Sequence, residues 1–285
     1  MGFVSEPPLP SHAQDKRRLE ALLSRVWAIA GEEEHPLGRL QGFSLGPYRL
    51  LALLGPKNNV GSRYLQLFLV DSEGRMSEEP VVFGLHNSGP YPGYNWLEVF
   101  RYEPALSIRG EAADLRAAGL EEELFQALST LVPAGGHLMV EYESPAQKES
   151  ERILGLDYPP VASPLGYLLF RVGCRSFRDW YISEGGREGP RKIQGFKPLN
   201  EGLARERTEA LRRQVQQPLA KPESPQHGEY GRTARRLAEA VLAALAKGTG
   251  RGDEEAGGQT RPQPEACLPL LRRARGRQGC GIGAG

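Results

Sequence analysis

The chain reads as an α/β protein: a mixed, mostly antiparallel sheet with a parallel crossover and helices on both faces, followed by a helical and disordered C-terminal extension. Three observations predict it. Four strand-like runs follow one another between residues 48 and 103 with short, turn-rich gaps, which favours an antiparallel meander. A segment of helical period then connects the last of these runs to another strand, the signature of a parallel crossover. Every Phe and Trp lies at or before Phe196, and large aromatics dominate core burial, so the main core is placed within residues 1–200.

The elements follow in order. Residues 14–30 carry Leu19, Leu22, Leu23, Val26 and Ile29 at helical spacing, and Gly31 ends the run. The strand-like runs are Tyr48–Leu54, Tyr64–Val70, Pro80–His86 and Trp96–Glu103, separated by Gly, Pro, Asn and Asp. Leu120, Leu124, Phe125, Leu128 and Leu131 form one helical stripe that Pro133 stops. The glycines of "AGG" then turn the chain into the strand "HLMVEYE". A second helix, "SPLGYLLFRVG", has Ser163 as N-cap and Pro164 as its first helical residue. A last strand, "SFRDWYI", closes the body.

Beyond residue 200 the composition changes. Residues 203–216 read as an exposed helix and 217–231 as a Pro-rich linker. Residues 232–248 bring Leu237, Val241, Leu242 and Leu245 onto one helical face. That face could dock on the body, on a second subunit as in a homodimer, or on an anionic surface. The organisation is therefore a body at 1–200, a helical extension with its linker at 201–248, and a disordered tail at 249–285, rich in Gly, Arg and Pro.

Composition narrows the function. Net charge is +1, which argues against a dedicated nucleic-acid surface, although the tail is mildly basic and the body mildly acidic. No apolar run approaches the roughly 20 residues of a membrane helix. The N-terminal residues lack the pattern of a secretory signal, and Glu6 stands where myristoylation wants Ser or Thr. Cys174, Cys267 and Cys280 are odd in number and widely spaced, so neither a disulfide framework nor a metal site is expected. The five histidines show no ligand spacing. A cytoplasmic protein is the expectation.

The strand "HLMVEYE" raises the first chemical question. Strand alternation puts His137, Met139, Glu141 and Glu143 on one face, with the Cα atoms of the two glutamates about 7 Å apart at two strand rises. Burying both unpaired is costly. They are therefore either solvated or paired with Arg101 or Arg178, or they line a site at the carboxyl end of the strand, where ligands favour open α/β sheets. There Glu141 or Glu143 could take a proton from an amine. The loop "GPYPGYNW", with three aromatics among Gly and Pro, either lines a pocket or plugs the end of the sheet. Arg191, Lys192 and Lys197 either meet a phosphate or carboxylate, or lie on an exposed loop.

The order helix, meander, helix, strand, helix, strand resembles the fold of the Gcn5-related N-acetyltransferases. "LLFRVGC" followed by "FRDWYI" is similar to that family's late helix–Gly–aromatic–strand motif, with Cys174 in the aromatic's place. Residues 40–200 also resemble an uncharacterised family, domain of unknown function 1122, through "GGHLMVEYESP", "SPLGYLLFRVG", "RDWYISEGG" and "GPRKIQGFKPL". The first resemblance implies an acyl-coenzyme A donor such as acetyl-CoA, a small-molecule or peptide amine as acceptor, a carboxylate base and Tyr181 as the acid that protonates the leaving thiolate. It also implies that a Gly-containing turn and a helix N-terminus hold the cofactor's diphosphate, since free N–H groups and the dipole stabilise phosphate there. "RAAGLE" matches the family's loop at Arg116 and Gly119 and departs from it at Glu121. "SIRGEA" offers a second pair, Arg109 and Gly110.

Three functions follow as expectations: an acyl-CoA-dependent N-acyltransferase; a non-catalytic binding or regulatory protein on the same fold, which Glu121 favours; and an S-adenosylmethionine-dependent methyltransferase. The last is suggested by "LFQALSTLVPAGGHLMVEY" and opposed by the lack of a Gly-rich loop after a first strand.

Overall fold

A computed structural model describes residues 3–4, 9–30, 40–57, 61–141, 150, 152–153, 156, 158–184, 187–221 and 227–249. The strands are β1 (Phe3–Val4), β2 (Leu40–Leu45), β3 (Tyr48–Lys57), β4 (Arg63–Val70), β5 (Val82–Asn87), β6 (Trp96–Tyr102), β7 (Ala105–Ile108), β8 (Glu111–Asp114), β9 (His137–Glu141), β10 (Ser176–Glu184) and β11 (Arg187–Phe196). The helices are α1 (Ala13–Ala30), α2 (Glu121–Thr130), α3 (Pro164–Arg171), α4 (Glu201–Leu219) and α5 (Gly228–Thr249).

Nine strands form one sheet in the order β1-β2-β3-β4-β5-β6-β9-β11-β10, and β7 and β8 form a separate hairpin. Among the described strands only β6 and β9 pair in parallel, joined through the hairpin and α2. The predicted mixed, mostly antiparallel α/β architecture is therefore present. Strand alternation sorts the side chains onto two faces. Leu50, Leu65, Leu67, Leu97, Val99, Leu138, Val140 and Ile193 turn to α2 and α3 and form the main core. Leu51, Leu53, Phe68 and Val70 turn the other way and pack against Leu19 of α1, so helices cover both faces.

Local chemistry explains the helix ends. Ser163 accepts a hydrogen bond from the Gly166 N–H, with Pro164 at the first helical position. Asn200 does the same for Leu203 at the start of α4. At the far end of α2, the Lys197 ammonium donates to the carbonyls of Ser129, in the last turn, and Val132, just past the helix. Lys197 is thus half-buried against the helix C-terminus, and not a residue of an exposed loop.

The sequence reading missed β1, β2, the β7–β8 hairpin and β11. The last is the main correction. "REGPRKIQGF" carries two glycines and a proline, residues that ordinarily punctuate loops, yet it forms a strand inserted between β9 and β10. Gly195 is needed there, because a Cβ would meet the Cys174 sulfur at 2.9 Å.

The two C-terminal helices pack on the body. Leu211, Val215, Ala238, Val241 and Leu245 share a cluster with Val161, Ala162 and Phe170. The tail expected to be disordered lies, beyond Thr249, outside the described residues. No helix among those described is long and apolar enough to cross a membrane.

Gly166 sets the distance between α3 and the turn before it. A Cβ there would lie 1.9 Å from the Pro160 carbonyl oxygen and 2.9 Å from Ile193. Gly166→Ala should therefore cost about 1–3 kcal/mol through overpacking, read as a lowered Tm. The exposed Gly202→Ala, in the first turn of α4, should leave Tm unchanged or raise it.

Candidate functional site

The face of β6, β9 and β11 opposite the main core carries the charged cluster. Glu98 on β6, Glu141 on β9 and Lys192 on β11 meet there. Lys192 stands directly across the ladder from Glu141, and its ammonium donates to Glu141 at 2.7 Å and to Glu98. The three side chains are 4%, 7% and 13% exposed, in the order Lys192, Glu141, Glu98. Burial pulls the Lys192 pKa down, but its hydrogen bonds to the two carboxylates, with their charge, outweigh it and hold the pKa above its ordinary value. Lys192 therefore stays a cation at neutral pH. The expected pairing of Glu141 with Arg101 or Arg178 is replaced by pairing with Lys192.

Neighbours extend the cluster into a stripe. The Phe100 ring lies 5.9 Å from the Lys192 ammonium. Phe100 adjoins Phe83, which stacks on Tyr64 at 5.9 Å and 4°. On the other side His137 packs on Phe196 at 5.3 Å, and the Arg178 guanidinium lies over the same ring. Burial lowers the His137 pKa, against a smaller upward pull from Glu98, so the imidazole is neutral at pH 7.

The parallel pair is short. Its register runs from Trp96 with His137 to Val99 with Val140, while β6 continues to Tyr102. The register between β5 and β6 shifts at this point, Phe83 pairing with Arg101 and Gly84 with Val99. Phe100 is thus the extra residue of a β-bulge, and the bulge bends β6 where its pairing with β9 ends. Gly84 permits it, since a Cβ there would lie 2.2 Å from the Glu98 carbonyl oxygen.

The residues expected to hold a diphosphate do not gather. Arg109 and Gly110 form the tip of the β7–β8 hairpin, both at positive φ, as a tight hairpin turn requires. The Arg109 guanidinium reaches Asp15 of α1 at 3.4 Å. Arg116 and Gly119 lie elsewhere, in the turn before α2. The N–H groups of that turn are spent within it. Those of Arg116 and Ala117 go to the Asp114 carboxylate. Those of Ala118, Gly119 and Leu120 go to the carbonyls of Asp114, Arg116 and Leu115.

The start of α2 is acidic and occupied. Glu121 accepts from the Tyr102 hydroxyl at 2.6 Å and from Arg116 at 3.2 Å. Glu122 accepts from Arg171, and Glu123 from the Gly46 N–H. Burial, reinforced by Glu121, pushes the Tyr102 pKa up and keeps its hydroxyl a donor. Three carboxylates complement the helix dipole here, and a diphosphate would meet their repulsion. The residues present do not fit that group.

Two proposed chemical residues remain. Tyr181 lies on the edge strand β10, opposite Arg191 of β11. Glu143 lies outside the described residues. Cys174 is buried, and burial pushes its thiol up to about 12, so it packs as a small apolar group. Glu98 and Lys192 were missed as partners. The alternation of "WLEVFRY" puts Glu98 opposite Leu97 and Val99, a signal the sequence carries, but the glycines and proline around Lys192 hid its strand.

Removing the cation should expose the cost of the cluster. Lys192→Met leaves two buried carboxylates facing each other and should cost about 3–5 kcal/mol at pH 7. The loss should shrink as pH falls towards 4 and the carboxyls protonate, which urea denaturation at several pH values would measure. In the unsubstituted protein the raised Lys192 pKa contributes stability that is complete below the unfolded lysine value of about 10.4. That contribution is lost as pH rises through the folded value.

No curated protein matches the chain. A crystal structure of a protein of unknown function, AQ1966 from Aquifex aeolicus VF5, matches with a TM-score of 0.50 and 24% identity, over 72% of this chain and 93% of that one. At that identity the likeness concerns the fold. A family model described as protein of unknown function (DUF1122) matches residues 56–221, and with more than half of its length covered the chain belongs to that family.

Proposed function

We propose that this protein is a non-catalytic binding protein on an acetyltransferase-like fold, one that has kept the sheet and lost the acyl-CoA site. The sheet order supports the fold reading: a meander, one parallel pair and a final antiparallel strand inserted beside it. Glu121 carries the functional reading. Its carboxylate sits where the cofactor's diphosphate would approach the helix, held there by Tyr102 and Arg116. The turn's N–H groups, from Arg116 to Leu120, are already bonded within the turn. In this reading the Glu98–Lys192–Glu141 cluster fixes the alignment of three strands.

A second reading, acyl transfer from acyl-CoA to an amine, is favoured by a different observation. The parallel register stops at Val99 and Val140 and β6 bulges at Phe100, so the ends of the two strands pair with β5 and β11 and not with each other.

Thermal-shift titration of the whole chain separates the readings. A ligand at 100 times a micromolar Kd would add about 2.7 kcal/mol of stability, a clear rise in Tm. No rise with coenzyme A, acetyl-CoA or S-adenosylmethionine is expected. A rise with either coenzyme A species would overturn the binding reading in favour of the acyltransferase, and a rise with S-adenosylmethionine alone in favour of a methyltransferase.

A further inference from the structure

We propose that the loop between β5 and β6 forms a binding site for a neutral saccharide. A pocket of about 360 Å³ is lined there by Gly61, Asn87, Ser88, Pro90, Tyr91 and Tyr94 among others. That volume is at the small end of the range for small-molecule sites, about 300–1,000 Å³.

Tyr91 and Tyr94 are 66% and 64% exposed, and Leu199 on the adjoining surface is 50% exposed. These are three of the five exposed large hydrophobic side chains among the described residues, gathered at one end of the sheet. Single exposed apolar residues need no explanation, but a cluster on one surface marks a contact site. The two tyrosine rings stand 6.1 Å apart at 54°, so they present two differently tilted faces to the pocket.

The loop is held rigid before any ligand arrives. The Tyr94 N–H donates to the Tyr91 carbonyl and the Asn95 N–H to the Pro92 carbonyl. The Asn87 amide donates to the Tyr94 carbonyl at 3.0 Å, and the Asn95 amide to the Tyr91 carbonyl at 2.9 Å. Gly89 lets Tyr94 approach, since a Cβ would lie 2.6 Å from the Tyr94 Cβ. Pro92 and Leu199 both press on Gly135, where a Cβ would meet them at 2.7 and 2.9 Å. A loop backbone fixed in this way loses little entropy on binding, which raises affinity for whatever fits its rings.

The chemistry of the lining selects the ligand. Among the described residues it contains no Lys, Arg, Asp, Glu or His. A nucleotide would bring phosphate with no cation among the described lining residues to meet it, and a quaternary amine, though drawn to the ring faces, has no hydroxyl to meet Ser88 or Asn87. A proline ring could stack on the tyrosines but would leave Ser88 and the Asn87 side-chain oxygen unused. A sugar ring uses every part: its C–H faces lie on the aromatic rings, and its hydroxyls meet Ser88, the Asn87 oxygen and the tyrosine hydroxyls. The inference stands apart from the acyl-CoA question, because the pocket lies at the amino end of β6 and the start of α2 lies beyond its carboxyl end.

Saturation-transfer NMR on the full chain tests it, with gluco-, manno-, galacto- and N-acetylglucosamine oligosaccharides at about 10 mM, suited to millimolar Kd values. Transfer from at least one series is expected, about tenfold weaker in Tyr94→Ala and nearly kept in Tyr94→Phe, which retains the ring. Both variants alter an exposed side chain, and circular dichroism would verify their folding. Absence of transfer from all four series would overturn the proposal, as would transfer unchanged in both Tyr91→Ala and Tyr94→Ala. Binding of an oligoproline peptide that Tyr94→Ala abolishes, without saccharide binding, would reassign the pocket to proline-rich peptides.

Discussion

Lys192 holds the sheet together at the place where its rule of pairing changes. All other described neighbours in the sheet run antiparallel; β6 and β9 run parallel, share four registered pairs and then part. Parallel ladders are slightly less stable per residue than antiparallel ones. The ammonium reaches across to both, taking Glu141 from the adjacent strand and Glu98 from the one beyond. A one-residue slip of any of the three strands would send its charged member to the opposite face, into the cluster built from Leu97, Val99, Leu138 and Val140. Such an ion cluster need not add net stability, but it makes wrong registers costly.

The same arrangement separates what was legible in the sequence from what was not. The meander, the crossover and the helix caps came from local signals: alternation in "YLQLFLV", the stripe of α2, Ser163 before Pro164. β11 did not, because its reason for being a strand is tertiary. Its glycines and proline suit a loop, while Ile193 fills the core and Gly195 lets Cys174 approach. The charged cluster was half legible. Strand period placed Glu141 and His137 on one face, but the partner cation lay in the unrecognised strand. The diphosphate expectation rested on single residues that match a loop pattern, and such a pattern says nothing about whether the loop's own N–H groups are already engaged.

The turn before α2 shows how a site can be lost without disturbing a fold. Asp114, Arg116, Glu121 and Tyr102 make a closed set of donors and acceptors around a helix start. A helix N-terminus favours negative charge whatever its source; in this protein the charge comes from its own side chains. The aromatic loop at the other end of β6 is the converse, a stretch whose backbone is internally satisfied and whose rings are not.

The position of β11 bears on how the chain reaches this state. Lys192 and Glu98 are 94 residues apart, and β9 has no partner on its outer side until β11 is in place. During synthesis the meander can assemble from neighbouring segments, but β9 remains an open edge with unpaired N–H and C=O groups while some fifty further residues emerge. Contacts of such long range are slow to form, and an open apolar edge invites pairing between chains. A nascent chain halted before Phe196 would therefore be sticky rather than merely incomplete.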